Sequence, residues 1–321
     1  MKKLLVVCGP TAAGKTTLAI KLAGSFNGEV VSADSRQVFK GLDIGVGKDL
    51  PKGARRRLKF IGRKLLPYYV INGVKIWGYD LVDAKSDFSV GEYASLARKM
   101  TGDIWKREKL PILAGGTGLY VKAVVEVIPT INIPQNKTLR KSLASKTVGE
   151  LFEHLATVDP IRAASLNFSD KKNSRRLIRA IEVGIWKVSK KRRKKITPEP
   201  VDILKLGLKV PESKLFRRIQ KRVEQRLEGG FKQEVVGLIK KGVSVKHYSM
   251  QAIGYKEMRD HIGGKTSLEE LKKAWVNEER KYAKRQMTWF KKDKGIVWFD
   301  PTQNNYLSRV EKEVGKWYSA S

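Results

Sequence analysis

Two kinds of apolar pattern alternate along the chain. Leu4 to Cys8 is an unbroken apolar run, which predicts a fully buried parallel strand, and the glycine-rich stretch after it leads into a helix from about Lys15 to Ala23. Val30-Val31-Ser32-Ala33-Asp34 reads as a second strand ending on an acidic side chain, the end at which open α/β sheets carry functional groups. Val70-Ile71 and Val74 to Trp77 flank Asn72-Gly73, a strong hairpin signal, so a local β-ribbon is expected there. Leu110 to Leu113 predicts another short buried strand, running into Gly115-Gly116-Thr117-Gly118 and a helix from Leu119. That is a second strand, glycine turn and helix unit.

From about Pro129 the pattern changes to polar helical segments with weaker periodicity, continuing to the basic run Lys190 to Lys195, and Val201 to Val210 returns to strand character. The expected fold is α/β: a core of residues 1–128 and 197–321 with a parallel sheet flanked by helices, interrupted by a helical insertion domain at 129–196. After Pro211, Leu215, Ile219, Val223 and Leu227 recur at four-residue spacing and Gly229-Gly230 closes the helix. Its other face carries Arg218, Arg222 and Arg226. A further helix around Leu271 to Phe290 interleaves Trp275, Tyr282 and Trp289 with Arg280, Lys281, Lys284 and Arg285.

Charge changes the picture more than composition does. Sixty-six Lys and Arg against thirty-two Asp and Glu leave +34 over 321 residues, more than solubility requires, so a polyanionic partner is expected. No run of about eighteen apolar residues appears, which favours nucleic acid over membrane. The apolar stretch of MKKLLVVC is too short for a secretory h-region. Cys8 is the only cysteine and His154, His247 and His261 lie far apart, leaving no disulfide framework or zinc cluster and pointing to the cytoplasm.

Gly9-Pro10-Thr11-Ala12-Ala13-Gly14-Lys15-Thr16 satisfies G-x-x-x-x-G-K-[ST] after a strand and before a helix. Its glycines let backbone N–H groups turn inward on phosphate oxygens, the helix N-terminus and Lys15 add positive charge, and Thr16 is placed to hold Mg²⁺. The motif alone does not choose between a nucleotide and another diphosphate. Asp34 could lie within reach of the bound phosphates, serve as a Walker B carboxylate, or cap a turn.

Asp34-Ser35-Arg36-Gln37-Val38-Phe39 followed by Leu42-Asp43-Ile44-Gly45 resembles the tRNA dimethylallyltransferases, which prenylate N6 of an adenosine beside the anticodon. The resemblance spans nearly the whole chain. It includes Gly9 to Thr16, Gly115 to Tyr120, Asn173 to Val183, Arg222-Val223-Glu224-Gln225-Arg226, Gln251 to Tyr255 and Lys284 to Phe290. The stretch before the next helix, His-rich in the family, is here Trp77-Gly78-Tyr79-Asp80-Leu81-Val82-Asp83, and no C-terminal zinc-finger ligands are present, so the bacterial type is the closer match.

The resemblance implies a P-loop NTPase-like core and transfer of a dimethylallyl group from dimethylallyl diphosphate to adenosine 37, acting as a monomer on the tRNA anticodon stem-loop. Asp34 is then the base that helps a weakly nucleophilic exocyclic amine attack. Gly9, Pro10, Thr11, Ala12, Ala13, Gly14, Lys15 and Thr16 bind the diphosphate, with Mg²⁺ on Thr16 and Arg222, rather than Arg226, stabilising the departing pyrophosphate. Contacts with tRNA are expected from Asp34, Ser35, Arg36, Gln37, Thr117, Arg140, Ser174, Arg175, Arg176, Leu177, Ile178, Arg285 and Gln286. Ser35 and Gln37 would meet a flipped base, and the Arg55-Arg56-Arg57, Arg175-Arg176 and Lys190 to Lys195 clusters the phosphates. Trp275, Trp289 and Trp298 could stack on bases or fill the core. The alternatives are a small-molecule P-loop kinase, prenylation of free AMP or ADP, and a non-catalytic RNA-binding protein.

Overall fold

The computed structural model describes residues 1–189 and 200–320. The basic run Lys190 to Lys195 and the expected boundary at residue 197 lie outside them. The chain divides into two compact units, Met1–Val127 with Pro200–Ser321, and Ile128–Glu199.

In chain order the first unit contains β1 (Lys2–Cys8), α1 (Lys15–Ser25), β2 (Gly28–Ser32), β3 (Arg57–Ile61), β4 (Lys64–Ile71), β5 (Val74–Trp77), α2 (Val90–Lys106), β6 (Leu110–Gly115) and α3 (Gly118–Val125). The second unit holds α4 (Lys137–Leu143), α5 (Val148–Val158), α6 (Pro160–Ala164), α7 (Phe168–Lys171) and α8 (Ser174–Ser189). The first resumes with β7 (Val201–Leu208), α9 (Glu212–Glu228), α10 (Phe231–Lys240), α11 (Tyr255–Ile262), α12 (Leu268–Phe290), β8 (Ile296–Phe299) and α13 (Tyr306–Ser319).

Among the described residues eight strands form one sheet in the order β3-β4-β5-β2-β6-β1-β7-β8. From β5 to β8 every pairing is parallel, and β1, β2 and β6 are buried almost throughout, which is why their sequences are continuous apolar runs. The Asn72-Gly73 ribbon forms as expected. Both residues take positive φ, 50° and 78°, and Ile71 pairs with Val74 across a two-residue turn. Its inner strand β5 joins the main sheet beside β2.

Helices cover both faces of the sheet and make two apolar cores. Leu4, Val6, Val31 and Leu113 face one way, toward Tyr93, Met100, Phe231 and Trp275. Leu5, Val7, Val30 and Ile112 face the other, toward Leu18, Leu22, Val310 and Val314. Trp275 is fully buried in the first core, so of the three tryptophans weighed for stacking it is a packing residue. Trp298 packs against that core and Trp289 stays 40% exposed.

The second unit has its own small core of Leu143, Leu151, Leu155, Ala163, Leu166, Leu177 and Ile181. Glu182, nearly buried there, accepts from both guanidinium arms of Arg140 at 2.7 Å, from Arg179 at 2.9 Å and from the Asn136 amide at 2.8 Å. Those partners hold its carboxyl below the ordinary carboxylate range in spite of burial.

Candidate active site

β1 ends at Cys8 and the chain turns at once into the phosphate loop. Gly9 has φ +138°, and a Cβ there would stand 2.6 Å from the Leu208 carbonyl of β7, so only glycine lets the loop leave the sheet this close. Ala12 at φ 59° and Gly14 at φ 91° alternate with ordinary residues, the backbone pattern that points successive N–H groups into one concavity. Lys15 opens α1 and its ammonium donates to the Pro10 carbonyl at 2.7 Å. A cavity of about 410 Å³ lies over the loop, lined by Ala12, Gly14, Lys15, Thr16, Asp49 and Arg222 among others.

Arg222 reaches that cavity from α9. It pairs with Asp49 at 2.8 Å and donates to the Thr11 hydroxyl at 3.5 Å and the Gly47 carbonyl at 3.4 Å. Arg226, one turn on, is buried and turned instead to Glu279 of α12 at 3.2 Å. Gly47, φ +63°, lies against both guanidinium groups. Burial first, and the Arg222 guanidinium second, pull the Lys15 ammonium down to about 8, while the Asp34 carboxylate opposes them. Phosphate loop, arginine and carboxylate thus share one electrostatic neighbourhood.

Asp34 stands just past the end of β2, where Ala33 N–H still donates to Ala114 at 2.8 Å. One carboxylate oxygen accepts the Arg36 amide at 2.8 Å and the Gln37 amide at 3.4 Å, so the turn-capping role weighed from the sequence is real. The second oxygen has no partner among the described residues. Tyr282 and Tyr120 are pushed above the ordinary phenol range, by burial first with Asp34 contributing, so the phenols nearby stay neutral.

The second glycine turn closes over the same point. The Thr117 hydroxyl accepts the Ser35 amide at 3.1 Å and is hydrogen-bonded to Tyr282. A Cβ on Gly115 would meet the Ala33 carbonyl, on Gly116 the Gln286 amide, and on Gly118 the Trp289 ring. Close packing is therefore a sufficient reason for all three glycines.

Several side chains expected to touch RNA are otherwise engaged. Gln286, 5% exposed, accepts the Thr11 amide at 2.7 Å and donates to the Gly116 carbonyl at 3.0 Å, bracing the phosphate loop against the glycine turn. Gln37, 8% exposed, accepts from Ser32 at 2.7 Å and donates to the Gly47 carbonyl at 2.9 Å. Leu177 is fully buried in the second unit's core, and Ile178 packs against that core. The α8 stripe that places Ile181 inside places Leu177 inside too, so the expectation of an RNA contact by the Leu177 side chain is corrected to packing. Arg140 is committed to Glu182 and Arg176 to Asp170. Ser174 and Arg175 are exposed, Arg36 stacks on Tyr248 at 3.8 Å, and exposed Arg285 lies 5.7 Å from the Tyr282 ring centroid.

Two supporting acids were missed. Asp49 holds Arg222, and nothing in the local sequence marks it. Glu234 of α10 accepts the Asp43, Ile44 and Gly45 amides at 2.9, 2.7 and 3.2 Å, fixing the Leu42 to Gly45 string from about 190 residues away. Lys48, completely buried, ties Asp43 at 2.6 Å, Asp80 and the Phe39 carbonyl at 3.0 Å into the same layer. Here the Trp77 to Asp83 stretch supplies a structural carboxylate.

Comparison with known proteins agrees with this geometry. Residues 37–293 match the IPP transferase family and residues 2–65 also match the isopentenyl transferase family. A tRNA dimethylallyltransferase of Geobacter sulfurreducens is 37% identical over 94% of this chain and 93% of its own, and one of Halalkalibacterium halodurans 35% identical over 96% and 94%. The crystal structure of a Bacillus halodurans tRNA isopentenylpyrophosphate transferase superposes with a TM-score of 0.70 at 34% identity, covering 99% of this chain and 97% of that one. A eukaryotic dimethylallyltransferase acting on tRNA gives 0.76 at 25% identity, covering 99% and 79%. The fold is that of a P-loop NTPase-like core, and the chain belongs to the IPP transferase family.

Proposed function

We propose that this protein transfers the dimethylallyl group of dimethylallyl diphosphate to N6 of adenosine 37 in tRNA, acting as a monomer in the cytoplasm. The observation that carries the reading is the shared neighbourhood of Lys15, Arg222 and Asp34, within a chain 37% identical to a tRNA dimethylallyltransferase.

The loop from Gly9 to Thr16 holds the diphosphate through inward N–H groups and the Lys15 ammonium. Thr16 lines the cavity, and its hydroxyl has no partner among the described residues; no cluster of three or more His, Cys, Asp or Glu side chains among them could cage a metal. One protein hydroxyl completed by phosphate oxygens and water is a donor set that suits Mg²⁺. Mg²⁺ bound there would neutralise charge on the leaving diphosphate. As the N6–C1 bond forms and the C1–O bond breaks, the N6 proton passes to the free oxygen of Asp34, whose other oxygen is fixed by the turn. Charge gathers on the departing pyrophosphate, where Lys15 and Arg222 meet it. The tyrosines and the Thr117 turn around Asp34 form a largely apolar, neutral wall for an adenine flipped out of a loop, at a cost of a few kcal/mol. Ser35, Arg36, Thr117 and Arg285 on the first unit, and Ser174, Arg175 and Arg176, whose surface pair with Asp170 can exchange for a phosphate, on the second, are assigned to the tRNA; Arg140 stays with Glu182, and Gln37 and Gln286 hold the pocket that receives the base.

The direct test is incubation with dimethylallyl diphosphate, Mg²⁺ and a tRNA bearing adenosines 36 and 37. A mass gain of one dimethylallyl group on adenosine 37 is expected, and its absence with folded protein would sink the assignment. Asp34→Ala should lower the single-turnover rate by orders of magnitude while tRNA affinity stays close to wild type. AMP in place of tRNA, and ATP with small acceptors, report the free-nucleotide and kinase alternatives in the same assay.

A further inference from the structure

The outermost hairpin of the sheet carries side chains that prenyl transfer does not use. β3 and β4 pair antiparallel from Arg57↔Tyr68 to Ile61↔Lys64. Ile61 and Leu66 face the first core, and Lys59 on the same face meets Asp103 of α2 at 2.8 Å. Alternation sends Leu58, Phe60 and Leu65 to the opposite face. Farther along that face Tyr69 and Ile71 are buried in the second core, but Leu58, Phe60 and Leu65 remain 47%, 67% and 46% exposed. Phe60 and Leu65 are direct cross-strand partners, so the patch is continuous.

Cations stand at both ends of this patch. Arg55, Arg56 and Arg57 are exposed where β3 begins. At the other end Gly62 takes φ +60° and turns the chain through exposed Arg63 and Lys64. None of these five has a carboxylate partner among the described residues, and no acidic residue occurs from Pro51 to Lys64. Lysine and arginine commonly guard an edge strand against mispairing. That role accounts for the cations, but not for an aromatic ring and two leucines held in solvent between them.

We propose that the β3–β4 hairpin is a base-stacking RNA surface, on which unstacked bases of the tRNA lie against Phe60, Leu58 and Leu65 while Arg55 to Arg57 and Arg63 hold the flanking phosphates. The proposal rests on tRNA being the substrate. A sheet face with exposed aromatic and apolar groups, bounded by cations, is chemistry that takes single-stranded nucleic acid without reading its sequence. The excess of +34 fits a polyanion, whereas a second copy of this chain would set arginine cluster against arginine cluster.

The test uses the full chain and measures tRNA binding without any prenyl donor, so it stands whether or not transfer occurs. Phe60→Ala should weaken tRNA binding about tenfold, with the melting temperature unchanged because the ring is in solvent. In turnover it should raise the KM for tRNA and leave kcat and the KM for the donor alone. Arg55→Ala/Arg56→Ala/Arg57→Ala should make the slope of log affinity against log salt shallower by about 2. Affinity of Phe60→Ala within twofold of wild type overturns the proposal. So does Phe60-dependent binding to vesicles containing phosphatidylserine with tRNA affinity untouched, since the hairpin would then be a membrane contact.

Discussion

Gln286 decides between two views of the site. If it braces the phosphate loop, Gln286→Ala removes the acceptor of the Thr11 amide and the donor to the buried Gly116 carbonyl in one step. The Thr11 amide is partly accessible and can recruit water, so the cost is dominated by the Gly116 end, about 1–3 kcal/mol for a buried carbonyl left without a partner. At roughly 2 °C per kcal/mol for a chain of this size, the core's melting temperature should fall by about 2–6 °C. The loosened loop should raise the KM for dimethylallyl diphosphate, with little change in the KM for tRNA. Gln286→Glu sharpens the point. It keeps the acceptor for Thr11 but turns a carboxylate oxygen toward the Gly116 carbonyl and sets a buried negative charge beside the phosphate loop, so donor binding should suffer more than in Gln286→Ala and stability at least as much. Calorimetry and two-substrate kinetics on the three proteins suffice. A variant with wild-type melting temperature and donor KM but a raised KM for tRNA would refute the brace and return Gln286 to the RNA interface.

The remaining predictions concern the loop and its arginine. Lys15 carries its charge below about 8 and loses it above, so donor kcat/KM should decline as pH rises through about 8; Arg222→Met, which removes the second cause of the lowering, should move that decline to higher pH. An unmoved inflection in a pH–rate series would detach it from Lys15. Gly47→Ala should force a Cβ into both guanidinium groups at a positive φ, lowering kcat by on the order of a hundredfold, the loss expected also of Arg222→Ala. The double variant should lose little more than either single one, and full additivity in the kinetic cycle would mean Gly47 does not act through Arg222.

What could be read from the sequence was whatever depends on local chemistry. The phosphate loop, the Asn72-Gly73 turn, β1, β6 and the amphipathic α9 are set by residues within a few positions of one another, by periodicity, a positive-φ requirement or continuous apolar runs. Asp34 was placed because it follows a strand end and sits in a distinctive string. The family could also be inferred, because its motifs recur in order. What tertiary structure alone decided was which polar groups remain free. Gln37, Arg140, Leu177 and Gln286 have the right residue types for recognition or lie beside residues that do, but each is committed to a partner or a core from elsewhere in the chain. Glu234 and Asp49 matter because the tertiary fold brings α10 against the Leu42 to Gly45 string and the loop after β2 against Arg222, and no local signal encodes either meeting. Arg222 and Arg226 lie on one helical stripe and are equivalent in sequence. Packing separates them, since α12 presents Glu279 to Arg226 while Arg222 is left facing the phosphate loop.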